Sequence, residues 1–252
     1  MRILTFLGLN GIALGLFGQP PITPAFEVAS VKLNQLDTRG FIGAVPGGKG
    51  FRGFKATSAR LKILVMLAYN LPDSQITGGP GWVESDGFDI DAKAENPTSY
   101  EQINLMLQTL LADRFQLRIR RETREQPVYA LILEKPSPNL VPHADDGTLP
   151  VIRVGSTPGE RIFENMPIAR LAMLLRGETG RTVVDKTGLE GSYDFKVEYA
   201  SNLSKGPREE NAPSELGQSV FAAVRKLGLK LESQKGPSEY LTIEHVEKPS
   251  AN

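Results

Sequence analysis

A repeat constrains this chain more than any other feature, because the same series of hydrophobic patterns runs in the same order before and after a proline-laden middle. On the N-terminal side, Phe26 to Leu33 alternates apolar and polar residues with the period of a strand. Gly43 to Gly53 holds five glycines and a proline, the composition of a hairpin region. Leu61, Leu64, Val65 and Ala68 then fall at i, i+3, i+4 and i+7, which predicts a helix with Thr57 or Ser58 as its cap. Phe88 to Ala94 reads as a strand, with Phe88, Ile90 and Ala92 on one face and Asp89, Asp91 and Lys93 on the other. Ser99, with Gln102 as capping partner, opens a second helix that turns Ile103, Leu107, Leu110 and Leu111 inward. Two strands, Phe115 to Arg121 and Val128 to Glu134, are expected to follow, joined by a short polar turn.

Residues 136–150 contain four prolines and few apolar side chains, so they read as a linker. Beyond it the plan recurs. Met166 to Arg176 is helical, with Pro167 expected at the first helical position and Gly180 closing it. Thr182 to Asp185 is a short strand, and Tyr193 to Tyr199 alternates. After a polar loop from Ser201 to Pro213, Ser214 caps a helix carrying Leu216, Val220, Val224 and Leu227, with Gly228 as its C′ residue. Leu229 to Ser233 and Tyr240 to Val246 form a last strand pair. Phe88-Asp89-Ile90 parallels Tyr193-Asp194-Phe195, and Glu134-Lys135-Pro136 parallels Glu247-Lys248-Pro249. The expectation is an α+β fold of two related β-α-β-β-α-β-β halves, residues 26–135 and 151–250, each a mainly antiparallel sheet packed by two helices.

Residues 1–18 read as a signal peptide, with an uncleaved N-terminal anchor as the alternative: Arg2 precedes an apolar run from Ile3 to Phe17, short for a membrane span, and Gln19-Pro20-Pro21 breaks any helix. The chain is therefore expected to be exported, periplasmic or extracellular, with no span left after cleavage. Lys plus Arg and Asp plus Glu both number 29, which leaves no overall field for nucleic acid. The absence of cysteine excludes disulfides, thiolate nucleophiles and thiolate metal sites.

The segments FEVASVKLN, LAYNLPDSQITGGPGW, MLQTLLADRFQLRIRRETREQPVYALIL, VVDKTGLEGSYDFKVEY and LGLKLESQKGPSEYLTIEHVEKPS resemble the soil-associated exported protein family of soil bacteria, a domain of unknown function present as many paralogues. The resemblance implies an exported domain. It also implies kinship with similar domains fused to membrane metallopeptidases of the beta-lactam-sensing type, although the peptidase and its zinc motif are missing here. It brings no catalytic residues.

Motifs that look like chemistry fall short of what that chemistry needs. Gly43 to Gly50 nearly spells a phosphate-binding loop, but Gly50 stands where a magnesium-binding Ser or Thr belongs and strand follows where a helix should begin. Asp185-Lys186-Thr187-Gly188 reads as a tight turn. Glu84, Asp86, Asp89 and Asp91 are the densest acidic group, and Asp89 with Asp91 suits either structural carboxylates, a weak calcium site or a glycosidase pair. His143 and His245 lack ligand spacing and read as surface or strand-face residues, and no nucleophile elbow occurs. Arg114, Arg118, Arg120, Arg121 and Arg124 form a basic stripe, read either as a solvated sheet face or as a contact for an acidic partner or polysaccharide. Trp82 is either a core plug or an exposed anchor.

The leading expectation is a non-catalytic binding or interaction domain of the cell envelope, without a cofactor, whose partner is an envelope protein or a glycan. Trp82, Arg118, Arg120, Asp89 and Asp91 are the candidate contacts. The alternatives are a sensory module working with a membrane metallopeptidase, and a carboxylate-dependent envelope hydrolase.

Overall fold

The computed structural model describes residues 23–34, 40–144, 148–157, 159–199 and 219–249. The signal peptide expected at residues 1–18, and the cap and first turn expected at Ser214 and Leu216, lie outside the described residues. The first half comprises β1 (Val28–Asn34), β2 (Ile42–Pro46), β3 (Phe51–Arg60), α1 (Leu61–Tyr69), a 3-10 turn (Asp73–Gln75), β4 (Ile76–Gly78), the short α2 (Trp82–Ser85), β5 (Gly87–Thr98), α3 (Tyr100–Phe115) and β6 (Arg118–Leu133). The second comprises β7 (Val141–Pro142), β8 (Val151–Val154), β9 (Glu160–Pro167), α4 (Ile168–Thr179), β10 (Val183–Asp185), β11 (Ser192–Glu198), α5 (Val220–Lys226) and β12 (Leu229–His245).

The fold is α+β, and the repeat is real. From β2 to β6 and from β8 to β12 the order is β-β-α-β-β-α-β, with β1 and β7 as an added edge strand. That order corrects the expected β-α-β-β-α-β-β frame. Each half builds an antiparallel outer sheet, ordered β1-β5-β3-β2 in one and β7-β11-β9-β8 in the other. In both, the third strand of this order runs directly into a helix, α1 or α4. Hydrophobic spacing explains these helices: Leu61, Leu64, Val65 and Ala68 are all buried in α1, and Ile168, Leu171 and Leu175 in α4.

The halves are not independent. They share a central sheet, ordered β10-β6-β12-β4, in which β4 pairs in parallel with the other half's β12 and β10 with the other half's β6. The strand pairs expected around polar turns are instead single long strands, β6 and β12, paired antiparallel along their lengths. Glu125 faces Pro237 at the centre of an approximate two-fold; four residues along each strand from that pair, Tyr129 meets β10 and Leu241 meets β4. The exchange reaches the cores. Leu241 and Ile243 of β12 pack in the first core, and Leu131 of β6 packs in the second.

Near the axis a polar plug ties the halves together. Gln75 Nε2 donates to Thr182 Oγ1 at 3.1 Å and to Ser238 Oγ at 2.7 Å, and all three residues are buried. Gln75 and Thr182 are counterparts, each sitting just before the short strand that crosses to the other half.

Candidate ligand-binding site

The repeated aspartates of the sequence have a shared local role. Asp89 Oδ1 accepts the backbone N–H of Ser58 at 2.8 Å, and Asp194 Oδ1 accepts that of Asn165 at 2.8 Å. Ser58 and Asn165 are counterparts, both left-handed (φ 50° and 52°), just before α1 and α4. Ser58 is thus not the helix cap; Arg60 holds that position, as Pro167 does in the second half. Each carboxylate takes a further donor at the edge of its sheet, the side-chain amide of Asn34 in β1 at 2.8 Å on Asp89, and Nδ1 of His143, the residue after β7, at 2.8 Å on Asp194. Nε2 of His143 lies 3.3 Å from Thr148 Oγ1, so carboxylate, imidazole and hydroxyl follow the order of a nucleophilic triad. The first half, however, performs the same backbone-holding task with Asn34 in place of His143, and Asn165 Nδ2 also bonds Thr148 Oγ1 at 3.2 Å. The geometry is that of a latch on the strand-to-helix junction.

The other candidate contacts lie apart. Asp91 is exposed and pairs with Lys55 at 3.1 Å, Glu84 with Lys62 at 2.7 Å and Asp86 with Lys248 at 2.7 Å, so the four carboxylates do not converge. Arg118 and Arg120 are exposed on β6, where Arg120 meets Glu244 at 3.1 Å; nearby Arg121 meets Glu239 at 2.8 Å. Glutamates thus interleave the basic stripe. Trp82 is half-buried against the first core, edge-on to Phe88 with ring centroids 6.0 Å apart, and Lys248 Nζ lies 5.6 Å from its ring centre. The structure does not bring Trp82, Arg118, Arg120, Asp89 and Asp91 to one site. Gly47 to Gly50 form the β2–β3 hairpin turn. Asp185 Oδ1 accepts from the N–H and the hydroxyl of Thr187, closing a tight turn at Asp185-Lys186-Thr187-Gly188.

A cavity of about 230 Å³ lies elsewhere, between the inner face of the second outer sheet and the helices α4 and α5. Its apolar wall includes Phe163, Leu171, Leu175, Val197 and Val220. Counting back from the left-handed residues that follow each helix, Gln116 and Gly228, α5 matches the last two turns of α3. Ile103 and Leu107, fully buried in the first half, come from the earlier turns of α3. Ala223 also stands where the first half has fully buried Leu111.

One end of the cavity is polar. Tyr199 donates its hydroxyl to Glu178 Oε1 at 3.4 Å, and Arg161, opposite Val197 on β9, lines the same space. Glu178 is only 7% exposed. Burial, and then the Glu178 carboxylate, push the Tyr199 hydroxyl up to about 12, while Arg161 acts the other way. At the corresponding positions of the first half stand Phe54, Ala94 and Leu71. None of the polar three stands out in the sequence as a site residue. Glu178 carries the one available signal, a charge on the apolar stripe of Leu171 and Leu175.

A duplicated α+β protein with exchanged central strands and an apolar-walled cavity among the described residues of its second half is the class these features define. Residues 62–246 match the family model described as "Protein of unknown function (DUF3738)", and the chain belongs to that family. No curated protein and no solved structure matches it. No helix among the described residues is long and apolar enough to cross a membrane.

Proposed function

We propose that this protein is a non-catalytic binding module of the cell envelope, exported by its N-terminal segment, whose second half holds a small, largely apolar ligand. One observation carries the reading: in the second half the described residues line about 230 Å³ of apolar-walled space with a polar end, where Arg161, Glu178 and Tyr199 stand at the positions that Phe54, Leu71 and Ala94 take in the first half. For scale, an engineered apolar cavity of about 150 Å³ takes up benzene. A cavity with apolar walls and a few convergent polar groups is the usual form of a small-molecule site.

Thermal shift and calorimetry of the mature chain with benzene, indole and 3-methylbutan-1-ol test this. The expected result is a rise in melting temperature for at least one probe, lost when Ala223→Phe fills the cavity. Binding that survives Ala223→Phe unchanged, or no binding of any probe, would contradict the proposal. Export is tested separately, by locating the chain in periplasmic or culture-medium fractions; retention in the cytoplasm would overturn that part.

A further inference from the structure

The cavity reaches an open edge of its sheet. Ile152, on the outermost strand β8, lines it, and among the described residues β8 pairs with β9 alone. Gly155 N donates to Glu160 O at the next step of this ladder, so by antiparallel alternation Arg153 and Val151 turn their main-chain groups towards β9. The N–H and C=O of Ile152 and Val154 therefore point outward. Their side chains lie on the inner face, opposite Phe163 and Arg161, with Ile152 42% exposed and Val154 75%. The matching edge of the first half is covered. Ile42 and Ala44 hold the same positions on β2, opposite Ala56 and Phe54, and both pack half-buried on the first core. The second half thus carries the larger residue, valine for alanine, where less of it is buried. Outward main-chain groups flanked by exposed apolar side chains form a template for strand addition.

We infer that the apolar group held by the cavity is a side chain of an extended peptide, which adds a strand to β8 and sets a large apolar residue opposite Ile152 and a second apolar residue, two positions before it, opposite Val154. This rests on the reading of the cavity as an apolar binding site and names what carries the apolar group there. The edge calls for main chain, because N–H and C=O groups repeating every second residue are matched by another strand, while a neighbouring pocket selects the side chain. An antiparallel strand, like every neighbour in this sheet, places directly opposite residues on the same face. The middle residue turns to the other face beside Arg153, which Glu164 already holds at 2.9 Å, so the pattern recognised is apolar-x-apolar. Size agrees. If about 150 Å³ holds benzene, 230 Å³ holds the side chain of leucine or phenylalanine. A second copy of the chain is not the occupant, since an edge of four residues supplies far less than the roughly 800 Å² per partner of a stable pairing between folded proteins. A short strand needs only the edge and the pocket.

Calorimetry and NMR amide exchange of the mature chain decide the matter with three probes: 3-methylbutan-1-ol, the peptide acetyl-Thr-Val-Thr-Leu-Thr-amide, and the same peptide methylated on its Val and Leu nitrogens. The peptide is expected to bind at least tenfold more tightly than the alcohol and to slow exchange of the Ile152 and Val154 amides at least tenfold. The alcohol should leave both amides as they are. Methylating the Val and Leu nitrogens, which face β8, should weaken the peptide at least tenfold; methylating the central Thr nitrogen, which faces away, should cost less than threefold. If the alcohol binds and the peptide binds no better, or binds without slowing the two amides, the inference is wrong while the cavity reading stands. If neither binds, both fail. Peptide binding that Ala223→Phe leaves unchanged puts the side chain outside the cavity and overturns the inference. Amides of Ile152 and Val154 that exchange slowly in the free protein and faster on dilution would put a second copy on the edge and overturn it too. The probe series on the unaltered protein separates these outcomes even if the variant does not fold.

Discussion

Asp89 and Asp194 each accept a backbone N–H from a left-handed residue at a strand-to-helix junction, and both also hold an edge strand. Removing such a carboxylate leaves a backbone donor unpaired in a constrained turn, which typically costs about 1–3 kcal/mol. Asp89→Ala and Asp194→Ala should therefore each lower the urea midpoint by a corresponding amount. Arg120→Ala, which breaks an exposed ion pair with Glu244, should change stability by less than about 1 kcal/mol. Equal losses in all three would remove the distinction between latch and surface pair. Tyr199 gives a pH signature. Its hydroxyl ionises near pH 10 when unfolded and at about 12 when folded, so its contribution is complete below pH 10 and is lost as pH rises towards 12. In urea titrations between pH 8 and 12, Tyr199→Phe should flatten the alkaline fall in stability; an unchanged slope would contradict the burial of that hydroxyl. The sequence makes the recurrence of the aspartates visible, because each sits beside an aromatic in a clear alternating pattern. It hides Arg161, which lies in a stretch without recognised periodicity, and it sets Tyr199 among apolar strand positions.

Local elements are legible where their own residues decide them. The Ser99 cap forms, with Gln102 N donating to its hydroxyl at 3.2 Å, and Gly180 and Gly228 are left-handed where helices end. The failures come from contacts distant in sequence. The polar stretches Glu122 to Gln126 and Gln234 to Glu239 have turn-like composition, yet each is the middle of a long strand because its partner is the other half. Pro127 is tolerated there because its nitrogen faces the same side as Tyr129 N, beyond the end of β10, so no ladder bond is lost. The strands β7, β8 and β9 also escape the sequence pattern, β7 within the supposed linker. In the first outer sheet, a Cβ on Gly53 would stand 2.0 Å from the main-chain oxygen of Ala92. Gly53→Ala should therefore destabilise by roughly 3 kcal/mol or more, since backbone must move. A loss below about 1 kcal/mol in denaturant unfolding would show that β3 and β5 are not so closely apposed.

At the scale of the molecule, the sequence indicates two halves but not their exchange of strands, since periodicity says nothing about which half supplies a partner. Residues 26–135 alone would lack β12 beside β6 and the Leu241 and Ile243 side chains of the first core. That fragment should show no cooperative unfolding, whereas the whole chain should unfold in one transition. Two well-separated transitions would refute the interlocked arrangement. The central claim is that the second half takes up a small apolar molecule between its outer sheet and α4 and α5 while the first half does not, and methyl NMR tests it most directly. On titrating benzene into protein labelled at Leu and Val methyl groups, shifts should be confined to Leu171, Leu174, Leu175, Val197, Val220 and Val224 around the cavity. Leu64, Leu107 and Leu111 of the first half should stay unmoved. Equal shifts in both halves, or none in either, would contradict the account.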